Sequence, residues 1–535
     1  MYLKLLCVLS VLLISSIKVQ AEWFSSMEQI IDLVRHESLL APTLQNYIKA
    51  KMEILLKLKT YGDELSEIAD KVSANKEEYI IHPINQYHLI KRFATQWTEV
   101  NQLLDRFNRT GKKTDFIKNA TRLFPKEEDI KGSAEGILRI QDTYNLNTSD
   151  IAEGNISGEK GHNSLKKLTT DECYHIGKAA FNGGLYDPCT HWMQFSLQRF
   201  EEGKQNFSKA HAEEYLQLCK MVSICWAIVA TKAQISSDDK SYKFSANSKF
   251  PKVCRGDVKI VSKTQSQMDQ LKYYIKNYLY IGYILNIKMI QQPSFPRISR
   301  NMWERKLHCY LHTNNGNPWL MFNPVKVEEL WDSPHIVQFY DVITSAEVDK
   351  IKKLAKPRLF RAIHFEDKED SEVFQKAAYR ITKVSWLNDT SGPVIAKLTR
   401  RISEITGLSM NTTEELQVAN YGVGGEYPPH LDVASDDHRK RMYDHPDGER
   451  IATFLIYLSE VEEGGGTAFV RAGVAAKPIK GSAVFWYNMY PSGDIDIRTF
   501  HGACPVIIGN KWASNKWIRE LGESFHRQCK LDRNA

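Results

Sequence analysis

Three side chains of this 535-residue sequence have the types and spacing to hold a catalytic metal ion: His430, Asp432 and His501. His430-Leu431-Asp432 sets an imidazole and a carboxylate two residues apart, and on an extended strand residues i and i+2 point to the same face, so both reach one ion. His501 lies 501 − 432 = 69 residues beyond the aspartate and must return from a distant strand to close the triangle. Two imidazoles and one carboxylate fill half of an octahedron. The three positions left open suit a non-haem Fe(II) oxygenase better than a closed structural site. A His-x-Asp pattern alone arises by chance in a chain with 16 histidines, so its surroundings must decide.

The elements that position this set begin near Pro334, where the pattern turns β-rich. Strands are expected at Ile336–Tyr340, Leu359–Phe365, Ala377–Val384, Leu416–Tyr421, Ile451–Leu458, Ala483–Trp486 and Val506–Ile508, and helices at Ser345–Ala355 and Gly392–Thr406. Many short strands with turns such as Gly464-Gly465-Gly466 argue for a double-stranded β-helix, or jelly roll, with the helices buttressing one face. His430, Asp432 and His501 then converge at its mouth.

Composition bounds the rest. A quarter of the residues are charged and 42% hydrophobic, a globular balance with length for about three domains. Met1–Ala21 reads as a signal peptide: Lys4, an apolar run from Leu5 to Ile14 too short to span a bilayer, and Val19-Gln20-Ala21 as the cleavage site. Its removal takes Lys4 and Lys18 and lowers the formal charge from +7 to +5, which gives no case for nucleic-acid binding. Cys7 leaves with it, and the other eight of nine cysteines are free to pair in an oxidising lumen. Glycosylation sequons begin at Asn108, Asn119, Asn147, Asn155, Asn206, Asn388 and Asn411. Leu531-Asp-Arg-Asn-Ala535 is not a KDEL-type signal, so retention in the endoplasmic reticulum is expected to need a partner.

Residues 22–145 read as α-helical. Leu44, Ile48, Met52 and Leu55 make an apolar stripe that closes either an intramolecular hairpin or a coiled-coil dimer. A second helix follows His82-Pro83 and runs through Leu89, Phe93 and Trp97. After a polar linker at 145–167, Thr169 or Thr170 caps a helix with Cys173, Ile176, Ala180 and Phe181; Gly183-Gly184 breaks it, and a helix with Trp192, Phe195 and Leu197 follows. Gly177, Ala180 and Trp192 inside such a pair suggest a tetratricopeptide-like (TPR-like) unit, although aromatics here are more often core than ligand platform. A third helix spans about 210–233. Residues 258–305, rich in Lys, Ile, Asn and Tyr with no clean period, fit either a genuine insertion or translated intron.

Glu415-Leu-Gln-Val-Ala-Asn-Tyr421-Gly-Val-Gly-Gly425, Ala483-Val-Phe-Trp-Tyr-Asn488, and His501 through Gly509-Asn-Lys511-Trp-Ala-Ser-Asn-Lys-Trp517 closely resemble the collagen prolyl 4-hydroxylase α-subunit family. The resemblance covers the C-terminal third and extends more loosely over His82-Pro-Ile-Asn85, Asp142-Thr-Tyr-Asn145 and the helices near Trp192. It implies an N-terminal dimerisation region (22–145), a TPR-like peptide-substrate-binding domain (146–250), a linker with the atypical insertion (251–333) and a dioxygenase domain (334–535). His430, Asp432 and His501 would ligate Fe(II), with 2-oxoglutarate and O2 at the open positions. Lys511, ten residues after His501, stands where the family pairs a cation with the far carboxylate of 2-oxoglutarate; without that context it reads as solvated surface. Tyr421 and Tyr457 are either further cosubstrate contacts or ordinary buried tyrosines, and Tyr186 and Trp192 are candidate substrate-binding aromatics.

The reaction so implied hydroxylates C4 of a peptidyl proline while 2-oxoglutarate gives succinate and CO2, with L-ascorbate rescuing oxidised iron. Family membership also implies an α2β2 assembly with protein disulfide isomerase in the endoplasmic reticulum lumen, and Cys254–Cys309 and Cys504–Cys529 disulfides. Cys173, Cys189, Cys219 and Cys225 are expected to be buried thiols. The chain departs from the pattern at Arg519 (usually His), at Val470 (usually Pro), at Phe181 (often an aromatic hydroxyl) and between Glu214 and Lys249, where a second helical repeat is not recognisable. These departures leave two alternatives to collagen-like substrates: another secreted substrate, or a non-catalytic binding subunit.

Overall fold

The computed structural model describes residues 27–107, 126–156, 163–200, 205–233, 249–256, 307–368, 371–376, 381–433, 447–523, 527 and 529–530. The segment 1–21, Asn108, Asn119 and the stretch 258–305 lie outside the described residues. In chain order the helices are α1 (Met27–Ala74), α2 (Lys76–Ile81), α3 (Pro83–Ala94), α4 (Gln96–Phe107), α5 (Glu127–Tyr144), α6 (Thr148–Glu153), α7 (Thr170–Asn182), α8 (Tyr186–Gln198), α9 (Lys209–Ala233), α10 (Lys249–Arg255), α11 (Pro318–Phe322), α12 (Ser345–Ala355) and α13 (Pro393–Thr406). No helix among the described residues is long and apolar enough to cross a membrane.

The chain forms two compact units, one from residues up to Ala74 with Thr95–Phe124, the other from Asn75–Ala94 and Pro125 onward. In the first, α1 meets α4 around Ile68, Val100 and Leu103, and the Tyr61 hydroxyl donates to Glu99. The stripe residues Leu44, Ile48, Met52 and Leu55 stay exposed, so no hairpin among the described residues covers them.

The second unit takes helices from both sides of the boundary expected at 145. Ile84 and Tyr87 of α3 and Ile137, Leu138 and Ile140 of α5 share one core with Cys173, Ile176 and Ala180 of α7 and Trp192 and Met193 of α8. Apolar spacing on each helix makes this burial possible, and Thr169 starts α7 with a capping box to Glu172. A disulfide joins Cys189 of α8 to Cys219 of α9, where buried thiols were expected; Cys173 alone is a buried thiol, and the Cys225 side chain lies outside the described residues.

The β-rich part starts before Pro334, because the described end of the expected linker already pairs as strands. Its strands are β1 (Cys309–His312), β2 (Val325–Trp331), β3 (Ile336–Tyr340), β4 (Phe360–Arg361), β5 (Ile363–Lys368), β6 (Ser371–Lys376), β7 (Thr382–Leu387), β8 (Leu416–Tyr421), β9 (Tyr427–His430), β10 (Arg450–Tyr457), β11 (Val461–Gly464), β12 (Thr467–Phe469), β13 (Val474–Ala476), β14 (Ala483–Tyr487), β15 (His501–Ala503), β16 (Val506–Gly509) and β17 (Trp512–Arg519). A nine-stranded sheet runs β1-β2-β3-β14-β10-β17-β8-β7-β4, and a four-stranded sheet runs β13-β12-β15-β9. Every pairing in them is antiparallel, consistent with a jelly roll.

Period-2 alternation assigns the two faces of the large sheet. On β10, Ala452, Phe454 and Ile456 join the core made with Val348 and Ile351 of α12 and Ile395, Leu398 and Ile402 of α13. Leu455 and Tyr457 face the other way, toward Phe469 and Ala476 of the small sheet.

The disulfides correct the expected pairing. Cys254 bonds to Cys504, and Cys309 and Cys529 are exposed without a bridge. The reason is packing: Phe250 and Val253 of α10 bury against Ala468, Val470 and Cys504, whereas Cys309 opens the edge strand of the large sheet.

Candidate active site

β9 and β15 are neighbours, with His430 directly opposite His501. β9 ends on His430, so Asp432 sits in the bend that follows and not on the same strand, as the i, i+2 argument had it. The three still converge: their ligand atoms lie within 4.8 Å of one another, with His430 Nε2 3.4 Å from Asp432 Oδ1 and His501 Nε2 3.6 Å from Oδ2.

The surrounding hydrogen bonds prepare these groups for a cation. His430 Nδ1 contacts the Pro428 carbonyl at 2.8 Å and His501 Nδ1 the Thr499 carbonyl at 2.9 Å. A carbonyl only accepts, so each Nδ1 carries the proton and each Nε2 lone pair faces the aspartate. Burial pushes the His501 pKa down to about 4, against the pull of Asp432, so its ring is neutral near pH 7. Burial disfavours the Asp432 carboxylate too, but His501 and then His430 outweigh it and hold its pKa below the usual range. Tyr427 stacks on the His430 ring at 3.7 Å, and Trp486 and Phe469 wall in His501.

Asp432 is aimed from the opposite sheet. The Thr453 hydroxyl of β10 donates to Oδ2 at 2.7 Å, Asn488 Nδ2 donates to Thr453 Oγ1 at 3.0 Å, and Trp486 Nε1 donates to Asn488 Oδ1 at 2.8 Å. Thr453, Asn488 and Trp486 were not singled out as functional from sequence. The available signal was a threonine interrupting the apolar run Ile451–Tyr457 on its site-facing side, and an asparagine closing the Ala483–Asn488 motif.

Lys511, between β16 and β17, is 1% exposed. Burial lowers its pKa to about 7, and among the described residues no carboxylate pairs with it. Its ammonium lies 4.8 Å from the Tyr421 ring centre and 6.0 Å from that of Tyr457. The Tyr457 hydroxyl is bonded to Thr467 Oγ1 at 2.7 Å. A buried cation without a counter-charge is costly unless an anion completes it. These residues therefore fit Fe(II) in the triad and a dicarboxylate such as 2-oxoglutarate against Lys511.

The other expected residues divide. Trp192 is 0% exposed, its indole N–H donated to Gln141 at 2.7 Å, so it is core and cannot stack on a peptide. Tyr186 is half-buried, edge-on to Phe181, which meets Tyr215 in turn. Arg519 is held by Glu414 and the Gly448 carbonyl. Val470 donates its backbone N–H to the Phe500 carbonyl beside His501, a bond that proline cannot make.

Residues 26–158 match the family described as prolyl 4-hydroxylase alpha-subunit, N-terminal region, and residues 416–519 match the 2OG-Fe(II) oxygenase superfamily. Prolyl 4-hydroxylase subunit alpha-1 of Homo sapiens is 37% identical over 521 residues, covering 95% of this chain and 96% of that protein. Subunit alpha-2 of Gallus gallus is 38% identical over 533 residues, covering 95% of each. Among solved structures, a viral collagen prolyl hydroxylase from Paramecium Bursaria Chlorella virus-1 in its 2OG complex aligns with 34% of this chain and 95% of its own, at 25% identity and a TM-score of 0.28. Identity sustained along nearly the whole length, with the triad and lysine in place, means that the chain belongs to the prolyl 4-hydroxylase alpha-subunit family and carries a 2OG-Fe(II) oxygenase domain.

Proposed function

We propose that this chain hydroxylates C4 of prolines in collagen-like secretory polypeptides, consuming 2-oxoglutarate and O2 and releasing succinate and CO2. The observation that carries this reading is the buried Lys511, with no carboxylate partner among the described residues, ten residues beyond the distal histidine of a His/Asp/His triad of which Asp432 and His501 are buried and His430 partly so. When bound, Fe(II) with 2-oxoglutarate supplies the oxidising power that the side chains lack. His430, Asp432 and His501 hold the metal on one side and leave the other open. Thr453 fixes the orientation of Asp432, Lys511 neutralises the far carboxylate of the cosubstrate, and Tyr421 and Tyr457 screen that ion pair from water.

The finer parts of the reading rest on separate features. Tyr186, Phe181 and Tyr215 present aromatic surface from successive helices of a TPR-like layer, suited to the apolar rings of a proline-rich strand. The exposed stripe Leu44, Ile48, Met52 and Leu55 has the spacing of a coiled-coil seam and serves dimerisation through a second copy. Lumenal residence agrees with the signal-like segment and with exposed sequon asparagines at 147, 155, 206, 388 and 411. Protein disulfide isomerase as the retaining subunit and L-ascorbate as the iron reductant complete the reading. The test is 2-oxoglutarate-dependent succinate release and hydroxyproline formation on (Pro-Pro-Gly)n peptides by the chain co-expressed with protein disulfide isomerase. Turnover no higher than that of His430→Ala sinks it.

A further inference from the structure

One helix of the helical layer, α5, reaches both segments that carry the site. Arg139 is buried; its Nε donates to the Gly424 carbonyl at 3.1 Å and lies 3.8 Å from Glu426 Oε1. Gly424 and Glu426 belong to the turn joining β8 to β9, four residues before His430 at its closest. Helix and turn meet backbone to backbone. A Cβ on Gly424 would stand 2.2 Å from the Gly136 carbonyl oxygen, and one on Gly136 would stand 2.5 Å from that of Val423. Only glycine permits this approach from either side.

At the C-terminal end of α5 the Tyr144 hydroxyl donates to the Pro505 carbonyl at 2.7 Å, in the turn between β15 and β16. That carbonyl also accepts the Gly465 N–H at 3.0 Å, and a Cβ on Gly465 would meet Lys511 Cδ at 3.3 Å. The helix is thus tied near its middle to the turn leading into His430, and at its C-terminal end to the turn that follows His501 and, through Gly465, to the Lys511 stem.

We propose that Arg139 and Tyr144 are positioning residues of the oxygenase site, Arg139 setting the approach of His430 to the metal and Tyr144 the seat of Lys511. This rests on the reading of the site as one for a metal and 2-oxoglutarate. Removing the Arg139 guanidinium takes the side-chain donor from the Gly424 carbonyl and the cation from buried Glu426, whose carboxyl burial already pushes up to about 7 against the pull of Arg139; Glu426 is then left protonated and the turn loses this tie to α5. Removing the Tyr144 hydroxyl leaves the Pro505 carbonyl with the Gly465 N–H, a smaller loosening confined to the Lys511 side.

The experiment compares the full-length chain, co-expressed with protein disulfide isomerase, with Arg139→Ala, Arg139→Lys and Tyr144→Phe by amide hydrogen exchange and by equilibrium titration. The probes are Mn(II), and 2-oxoglutarate at saturating Mn(II). Arg139→Ala speeds exchange in residues 422–430 and weakens Mn(II) about tenfold, as loss of a ligand's supporting contact does, and Arg139→Lys restores part of the loss. Tyr144→Phe speeds exchange in 464–466 and 505–511 and weakens 2-oxoglutarate severalfold with Mn(II) unchanged, on the order of a lost hydrogen bond. Unchanged exchange in both segments, or parallel loss of both ligands in both variants, overturns the proposal. An unaltered chain that takes up neither probe overturns the functional reading instead, and the exchange arm then judges the two tethers by themselves.

Discussion

Lys511→Met exchanges an ammonium for a thioether on an unbranched stem of similar length, which separates the lysine's charge from its packing. Its pKa falls from 10.5 to about 7 because the group is buried, and at about 1.36 kcal/mol per pH unit this corresponds to a charging cost on the order of 5 kcal/mol. The folded value lies below the unfolded one. The penalty on folding is therefore fully present below about pH 7 and fades as pH rises toward 10.5, where the unfolded chain also loses its proton. Without 2-oxoglutarate, Lys511→Met is expected to be more stable than the unaltered chain by a few kcal/mol at pH 7, a rise of several degrees for a domain of this class, with the gap closing by about pH 10. Ligand narrows the gap: 2-oxoglutarate at a hundred times its Kd, with Mn(II) in the triad, adds about 2.7 kcal/mol to the unaltered chain and nothing to the variant. Calorimetric unfolding at pH 7 and pH 10, with and without the cosubstrate, reads both halves. A variant less stable at pH 7, or one that 2-oxoglutarate still stabilises, refutes the assignment of Lys511 as a buried cation awaiting an anion.

Thr453→Val removes the hydroxyl that aims Asp432 while keeping the β-branched shape; metal affinity is expected to fall about tenfold or more in an anaerobic Fe(II) titration, and the loss of the buried donor should cost about 1–3 kcal/mol in unfolding. Trp192→Phe strands the Gln141 carbonyl oxygen in the core and should cost about 1–3 kcal/mol in denaturant unfolding without altering the peptide KM. Tyr186→Ala should do the reverse, raising the peptide KM at unchanged kcat. Gly136→Ala forces a methyl against the Val423 carbonyl and should destabilise the second unit by about 1–3 kcal/mol, visible as a lower thermal midpoint.

The candidate site was legible where its logic is local. His430 and Asp432 are two residues apart, and the strand at Leu416–Tyr421 and the helix at Ser345–Ala355 fall where their patterns put them, whereas Lys511 was legible only through the family resemblance. The i, i+2 argument reached the right pair by a partly wrong route, because β9 stops at His430 and a bend delivers Asp432. β17 escaped the reading, since Ser514, Asn515 and Lys516 interrupt its apolar pattern. Those polar side chains find partly or fully buried places only because β8 and β10 pair on either side of them.

The sequence by itself determined the chemistry on offer: two imidazoles and a carboxylate with open coordination, and strands to carry them; the resemblance added the cation at Lys511. Tertiary structure alone decided which side chains support that chemistry. Thr453 reaches Asp432 across two sheets, Cys254 pairs with Cys504 across 250 residues, and Arg139 meets a turn 285 residues away. Trp192 became core for the same reason, because α3 and α5 fold back over α7 and α8 and enclose it. Periodicity and spacing record which face of an element is apolar, but the partner of that face is chosen by burial summed over the whole fold, and no stretch of chain contains that sum.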